Sequence, residues 1–369
     1  MTQSVHQANR AGAAGGEPAL KKMTEAGPTV LWNDSADPNE LRQAIGWGAV
    51  GATCNPVIAV GCLSADWPRW RARVAELAAA YPRAGEAALG WAVVEELSVD
   101  AAKLLEPAFD KYRGVNGRLS VQTDPRLHRD AAALADQAER FASLTRNIIV
   151  KIPATEVGLE AIEEATYRGV SVNVTVSFTV AQAVATGRAI ERGLARREAE
   201  GKDTATMGPV VTIMVGRLDD WMRDVVARDR IAIDPGYLEW AGVAAFKNAY
   251  QVFRRLGLRA RLLSAAFRNV MHLTEFVGGD VVVSPPFKWQ TLINDNNLPL
   301  PPRMDVPVDP VVVATLADRI PDFRRAYEPD GLTPAEFDSF GPTRKTLRQF
   351  LDADAQLDAL VRDVLVPAP

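Results

Sequence analysis

Lys151 is the residue whose surroundings in the sequence most clearly indicate chemistry. It lies in the otherwise apolar run NIIVKIP at 147–153, which has the composition of a buried strand. Burial disfavours the ammonium form, so a buried lysine has a lowered pKa and an amine that can attack a carbonyl carbon. The resulting Schiff base accepts the electron pair of a breaking C–C bond. An equally compatible alternative is a lysine that extends from the strand end into a surface salt bridge.

Polar side chains in three other apolar runs could complete such a site. Asn55 and Asn173 are amides in apolar surroundings, where a missing hydrogen-bond partner is costly. They could bond to each other or to the backbone, or they could hold the hydroxyl groups of a small polyol bound at Lys151. Asp34 ends its run and is a candidate acid–base group, with a helix cap or turn as the alternative.

Two arginines could anchor an anionic substrate. Arg217 and Arg268 each follow an apolar run. Together they can bind a dianionic phosphate through charge-assisted hydrogen bonds, and surface salt bridges are the alternative for each. With Lys151 as the electron sink and Asp34 as the acid–base group, the residues predict a Schiff-base enzyme acting on phosphorylated polyols.

The elements that must position these residues are eight short runs rich in β-branched residues, separated by longer helical segments. The runs span residues 29–34, 50–55, 118–124, 148–153, 170–177, 210–215, 261–267 and 281–285. Each is nearly continuously apolar, as is typical of strands covered on both faces. Eightfold alternation predicts an α/β fold, a closed (β/α)₈ TIM barrel with its chemistry at the carboxyl ends of the strands. A doubly wound open sheet is the alternative, but no run is followed by a G-x-G-x-x-G turn.

The chain has 369 residues, whereas a typical barrel needs about 250. We predict that the excess forms a flexible N-terminal tail at 1–28 with one helical turn near its end, a helical insertion at 58–117 and extra helices from about residue 304. The sequence Thr333-Pro334-Ala335-Glu336 matches a capping box and predicts a helix start in the last segment. We therefore predict a single barrel domain at 29–369 that includes the C-terminal helices.

Composition predicts a cytoplasmic protein without nucleic-acid or membrane partners. The net charge is −4, and no basic patch stands out. No segment approaches the roughly 18 apolar residues of a membrane span, and the N-terminus lacks the pattern of a secretory signal. Cys54 and Cys62 are the only cysteines and are predicted to be reduced thiols. The three histidines are scattered, so no metal site is expected.

Several linked segments resemble the transaldolase family over roughly residues 29–295. The similar blocks are Thr53-Cys54-Asn55-Pro56, Val150-Lys151-Ile152-Pro153, Val172-Asn173-Val174-Thr175, Val215-Gly216-Arg217-Leu218-Asp219 and Ala266-Phe267-Arg268-Asn269. The resemblance implies a cofactor-free transferase of the pentose phosphate pathway. It would move dihydroxyacetone between sugar phosphates, converting sedoheptulose 7-phosphate and glyceraldehyde 3-phosphate to erythrose 4-phosphate and fructose 6-phosphate.

The resemblance also implies roles for individual residues. Lys151 would form the Schiff base, and Asp34 would take and return the proton of the hydroxyl next to the broken bond. Gln122 and Thr175 would position the catalytic water. The substrate-binding residues would be Asn55, Asn173 and Thr212 for the dihydroxyacetone unit, and Arg217 and Arg268 for the phosphate.

Three positions depart from the family pattern. Gln122 stands where well-known transaldolases have a glutamate, and an amide cannot act as a base. The related fructose-6-phosphate aldolases also look glutamine-bearing there, but Met214 replaces the tyrosine of their pattern. Ala266 replaces a serine that often assists phosphate binding. The alternatives are therefore an aldolase that releases free dihydroxyacetone and a non-catalytic sugar-phosphate-binding relative. A monomer or a homodimer is expected.

Overall fold

Eight parallel strands form the centre of the molecule in the computed structural model, which describes residues 16–368. The strands are β1 Val30–Asn33, β2 Ala49–Thr53, β3 Arg118–Gln122, β4 Ile148–Pro153, β5 Val172–Thr175, β6 Val210–Ile213, β7 Arg261–Ala265 and β8 Val282–Ser284. Each strand pairs with the next one in the chain, and β8 pairs with β1, so the sheet closes on itself. The predicted (β/α)₈ barrel is confirmed, and every strand overlaps its predicted run.

The interior of the barrel is filled by apolar side chains below the strand ends. This cluster consists of Trp32, Ile149, Val210, Leu263, Ala265 and Val282. Alternate residues of a strand share a face, so Ile149 lies one layer beneath Lys151. Gly51 belongs to the same layer, because a Cβ at this position would lie 2.5 Å from the indole ring of Trp32. The barrel therefore has a closed apolar floor, and Lys151 stands above it.

The outer layer is helical. In chain order the helices are α1 Ala19–Ala26, α2 Pro38–Gly46, α3 Pro56–Ala65, α4 Trp67–Ala80, α5 Glu86–Lys111, α6 Ala131–Ala142, α7 Glu156–Arg168, α8 Val180–Ala199, α9 Val215–Asp229, α10 Pro235–Leu238, α11 Ala241–Leu256, α12 Met271–Thr274, α13 Phe287–Asp295, α14 Pro310–Arg319, α15 Pro321–Tyr327, α16 Pro334–Phe337 and α17 Gly341–Leu365. A 3₁₀ turn at Pro125–Leu127 follows β3. Side-chain caps place several helix starts directly after strands. Asp37, for example, accepts hydrogen bonds from the backbone N–H groups of Asn39 and Glu40 at the start of α2.

The insertion and the C-terminal segment are both helical, as the sequence predicted. Helices α3, α4 and α5 form the insertion, and the long α17 packs against all three. Glu336 closes the predicted capping box at α16, where its carboxylate accepts hydrogen bonds from the Thr333 backbone N–H and hydroxyl. Helix α17 thus lies across the insertion rather than apart from the barrel, which is consistent with the predicted single domain.

The second half of the predicted N-terminal tail contains a packed helix that is longer than the single turn expected near its end. Residues 19–26 form α1, which buries Ala19, Leu20 and Met23, and the backbone N–H of Leu20 donates to Asn294 Oδ1 at 3.1 Å. Three small or medium apolar residues gave a stripe too short to predict a packed helix from sequence. Residues 1–15 of the predicted tail lie outside the described residues.

Within residues 16–368, no three His, Cys, Asp or Glu side chains are arranged to hold a metal ion. None of the helices in that range combines the length and apolar character of a bilayer-spanning helix.

Candidate active site

Three predicted site residues are aligned with one another across three adjacent strands. Gln122 of β3 aligns with Lys151 of β4, which aligns with Asn173 of β5. Residues aligned across parallel strands point to the same face, so the three side chains share one layer of the barrel. Thr175 lies two residues beyond Asn173 and therefore faces the same way. The strand register alone thus brings these predicted residues together.

Asn173 is held by hydrogen bonds at both ends of its amide. Its Nδ2 donates to Ser120 Oγ at 3.0 Å, and its Oδ1 accepts from Thr212 Oγ1 at 2.8 Å. The amide therefore links β3 to β6 across the barrel and lies completely buried beside Lys151. Because the amide is fixed by protein partners on both sides, its orientation is set before any ligand arrives.

Lys151 is 6% exposed, and burial is the main cause that lowers the pKa of its ammonium group. The negative charge of Asp34 acts in the opposite direction and raises this pKa, whereas the nearby Arg217 lowers it further. The effect of burial is larger than the opposing effects of Asp34 and Cys54, so the pKa of Lys151 is lowered. The surface salt bridge left open by the sequence is therefore not what the structure shows, and the amine is available as a nucleophile.

Asp34 follows β1, and its carboxyl group is influenced by the charges of Lys151 and Arg217. Its Oδ1 accepts a hydrogen bond from the hydroxyl of Thr53 at the end of β2. Burial raises the pKa of the Asp34 carboxyl, while the charge of Lys151 and the bond from Thr53 lower it. A carboxyl with a raised pKa beside an amine with a lowered pKa can take and return a proton, as acid–base work requires.

Asn55 does not lie in a strand, which corrects the sequence-based placement. β2 ends at Thr53, and Asn55 is the cap of α3, with its Oδ1 accepting from the backbone N–H of Ile58 at 3.0 Å. The backbone bond left open as an alternative is thus made by the oxygen. Pro56 was the signal that could have predicted it, since proline favours the first position of a helix.

Gln122 is 5% exposed, and its Oε1 has no hydrogen-bond partner among the described residues. A buried acceptor without a donor is costly. The position beside Lys151 suits a donor supplied by a bound molecule or a water. This is the role that the sequence assigned to Gln122.

The two predicted phosphate-binding arginines differ in their surroundings. Arg217 donates from Nη1 to Thr346 Oγ1 of α17 at 3.1 Å, and its buried Nε has no partner among the described residues. Burial, together with the charge of Arg268, lowers the pKa of Arg217 to about 10. The guanidinium of Arg268 instead pairs with Asp220 at 2.7 Å and donates to the Ala266 carbonyl, so the surface ion pair named as its alternative is formed.

A cavity of about 350 Å³ lies between these arginines and α17. Its lining includes Arg217, Arg268, Lys345, Thr346 and Gln349. The last three come from a helix more than seventy residues beyond Arg268, so their place in the site could not be predicted from the order of residues in the chain. A buried pair, Asp219 and His272, stands behind the same arginines and was missed for the same reason.

The structure belongs to the class of (β/α)₈ TIM barrels, and a buried lysine lies among polar side chains at the ends of its strands. Within that class, the family model described as transaldolase/fructose-6-phosphate aldolase matches residues 31–328, and the chain belongs to this family.

Curated relatives carry the name transaldolase. One from Kocuria rhizophila is 34% identical over 245 residues, which are 64% of this chain and 65% of the relative. One from Arthrobacter sp. (strain FB24) is 31% identical over the same shares of the two chains. One from Thiobacillus denitrificans is 30% identical over 55% of this chain and 62% of the relative. The matched region thus spans less than two thirds of each relative's length.

Proposed function

We propose that the protein is a transaldolase that transfers a dihydroxyacetone unit between sugar phosphates through a Schiff base on Lys151. The observation that carries the proposal is the register of Gln122, Lys151 and Asn173, with Asp34 acting electrostatically on the same buried amine. Family membership supports the same reaction.

The proposed reaction begins when the Lys151 amine attacks the ketose carbonyl and water leaves, which forms the Schiff base. Asp34 takes the proton of the hydroxyl next to the scissile bond, and the C–C bond breaks. Its electron pair moves into the imine, which becomes an enamine, and the shortened aldose phosphate leaves. The enamine then attacks an acceptor aldehyde, Asp34 returns the proton, and water hydrolyses the new Schiff base.

The other residues bind and orient. Asn173 and Thr212 form one hydrogen-bonded unit at the level of Lys151, which suits the hydroxyl groups of the dihydroxyacetone unit. Asn55 would use the amide nitrogen that its capping bond leaves over, since only the oxygen takes part in that bond. Gln122 and Thr175 would position the hydrolytic water.

Arg217 and Arg268 would bind the phosphate at the cavity that they share with α17. Both arginines lie on the chain directly after β6 and β7, so the phosphate end of the substrate would point toward that side of the barrel. A monomeric or homodimeric state and a cytoplasmic location stay predictions.

The second candidate is an aldolase that releases free dihydroxyacetone. Gln122 favours it, because the fructose-6-phosphate aldolases also look glutamine-bearing at this position, whereas Met214 departs from their pattern. The distinction is made by adding erythrose 4-phosphate to an assay with fructose 6-phosphate. Formation of sedoheptulose 7-phosphate indicates transfer, and cleavage that does not need the acceptor indicates the aldolase.

The test of the proposal is borohydride reduction in the presence of fructose 6-phosphate, followed by mass mapping of the modified peptide. We expect one stable adduct on the peptide that contains Lys151, and none in Lys151→Met. Lys103→Met is the matched control, because Lys103 is an exposed lysine paired with Asp100. Its adduct should equal that of the wild type. An adduct at another lysine, or none at all, would overturn the proposal.

A further inference from the structure

Asp219 and His272 form a completely buried pair behind the two arginines. Asp219 lies on α9 two residues after Arg217, and His272 lies on α12 four residues after Arg268. The His272 Nε2 is 2.8 Å from Asp219 Oδ2, and both side chains are 0% exposed. The other carboxylate oxygen, Asp219 Oδ1, accepts from the backbone N–H of Gly242 at 2.7 Å.

The second ring nitrogen of His272 is bonded to the backbone of an arginine. The Arg268 N–H lies 3.0 Å from His272 Nδ1. A backbone N–H can only donate, so Nδ1 must accept and the ring proton must be on Nε2, where it is donated to Asp219. The carboxylate therefore selects the one tautomer that can hold the backbone of Arg268.

The loop at residues 266–269, which the bond from His272 to the Arg268 backbone holds, is under conformational constraint. Ala266 has a φ of +63°, a left-handed conformation that a residue with a Cβ adopts reluctantly. Its carbonyl oxygen approaches α9 so closely that a Cβ on Gly216 would lie 2.0 Å from it. Ser264 of β7, before the loop, donates from Oγ to the carbonyl of His272, after the loop, at 2.9 Å. Such a backbone persists only where surrounding contacts enforce it.

Two side chains of α9 connect this helix to the loop. Asp219 reaches the loop through His272, and Asp220 pairs with the Arg268 guanidinium. Arg217, on the same helix, lines the same cavity as Arg268. The position of Arg268 relative to Arg217 is thus set by contacts with α9 as well as by the barrel strands.

We propose that Asp219 and His272 are positioning residues that hold the 266–269 loop where Arg268 and Arg217 can bind one phosphate group. This inference rests on the proposed function, in which the two arginines anchor the phosphate of the substrate. The pair touches no reacting atom and acts only through the backbone of Arg268. Its loss should therefore weaken binding of phosphorylated substrates and spare chemistry at Lys151.

Two substitutions of His272 separate the two hydrogen bonds. In His272→Gln, the amide nitrogen can still donate to Asp219, but no acceptor remains for the Arg268 N–H. In His272→Asn, the shorter side chain offers an oxygen near the Nδ1 position and keeps the bond to Arg268. Asp219→Asn changes one atom and turns the carboxylate acceptor into a donor, which forces the histidine proton onto Nδ1 and against the Arg268 N–H.

The readout is the ligand concentration that gives half-maximal borohydride trapping at Lys151. For fructose 6-phosphate, we expect about a tenfold increase in His272→Gln and Asp219→Asn, as for a modest misplacement of a binding group. For dihydroxyacetone, which has no phosphate, we expect a change of less than about twofold. His272→Asn should stay near the wild type for both ligands even if its melting temperature falls.

The outcomes separate the two claims. If the wild type is not trapped by fructose 6-phosphate, the proposed function fails. If the wild type is trapped but folded His272→Gln and Asp219→Asn bind both ligands as it does, or lose both equally, the positioning role fails. Should neither variant fold, ¹⁵N spectra of the wild type decide. We expect the Nε2–H tautomer of His272 and a shift of the Arg268 amide with inorganic phosphate, and an Nδ1–H tautomer or an unmoved amide would overturn the inference.

Discussion

At the scale of single residues, the chemistry of the site depends on two shifts of opposite sign. Burial lowers the pKa of Lys151 and raises the pKa of Asp34, and the attraction between the two charges opposes both shifts. Because burial is the larger cause for each group, both are pushed toward their neutral forms. A neutral amine is the form that attacks a carbonyl.

We predict that the rate of Schiff-base formation rises with pH and that Asp34→Asn moves the midpoint of this rise to lower pH. The carboxylate raises the pKa of Lys151, so its removal lets the amine lose its proton earlier. Complete transfer should fall about 10²–10⁴-fold, since proton transfer at the hydroxyl is lost. Stopped-flow imine formation and a steady-state assay measure the two effects. A midpoint that moves to higher pH would contradict this account.

Gln122→Glu should move the pH midpoint of Schiff-base formation to higher pH, opposite to the shift expected for Asp34→Asn. Gln122 is the register neighbour of Lys151, and a carboxylate there would favour the ammonium form. The new carboxylate could also accept a proton from water, so we expect changed rates rather than an inactive enzyme. Gln122→Met is the matched control without charge or acceptor. An unaltered pH–rate profile in Gln122→Glu would place the side chain away from the amine.

Residue types in the sequence indicated part of this site. Lys151 was recognisable because a charged residue interrupts a buried run, and the strand register then supplied its neighbours. Asn55 was misplaced because a strand end and a helix cap can share the same letters. The contact of His272 with Asp219 could not be predicted, because it joins residues 53 positions apart and depends on the packing of two helices.

At the scale of elements, α17 connects parts of the molecule that the chain keeps far apart. Thr346 accepts a hydrogen bond from Arg217, and Asp354 pairs with Arg126 of the 3₁₀ turn at 2.9 Å. Between them, Phe350 is completely buried and lies 5.8 Å from the Arg217 guanidinium. The sequence predicted this helix from its periodicity, but not which face of the barrel it would cover.

Phe350→Ala should destabilise the protein by about 3–5 kcal/mol, because it opens a cavity under α17. It should also loosen Thr346 and so weaken fructose 6-phosphate binding. Arg362→Ala on the same helix removes an exposed ion pair with Glu86 and should leave stability nearly unchanged. Urea unfolding of the two variants tests this contrast. Equal losses of stability would show that α17 is not held by its buried face.

Asp354→Asn should stabilise the protein at pH 7.5 by a few degrees in melting temperature. Burial, and then the charge of Asp124, raises the pKa of Asp354 to about 6, and Asp354 shares the single cation Arg126 with two other carboxylates, Asp124 and Asp358. The folded state thus holds a proton between pH 3.8 and 6 that the unfolded state has lost, and stability falls as pH rises through this window. The gain from asparagine should be absent below the window. A gain that is largest in acid would contradict this sign.

At the scale of the whole molecule, the eight strands were predictable because each is apolar on both faces and the alternation repeats around the barrel. Helix α1 is longer than the single turn expected in the tail, and it is held by a few buried side chains and one bond to Asn294. The packing of α17 against the insertion depends on the shapes of the two surfaces, which the pattern of apolar and polar residues does not specify.

We predict that the chain unfolds in one transition, as expected of a single domain at 29–369. The sheet closes through all eight strands, and α17 contacts both the insertion and α9. Far-UV circular dichroism and loss of borohydride trapping should therefore have the same urea midpoint. Separate midpoints for the two signals would divide the chain into independently folding parts.

The floor formed by Trp32 and its neighbours has a consequence for the order of events in catalysis. Because this apolar floor closes the barrel beneath Lys151, substrates and products reach and leave the amine from the carboxyl ends of the strands. In the proposed transfer, the aldose phosphate would leave by this route before the acceptor aldehyde enters, while the three-carbon fragment stays bound to Lys151. We therefore expect double-displacement kinetics, in which reciprocal plots at different acceptor concentrations run parallel.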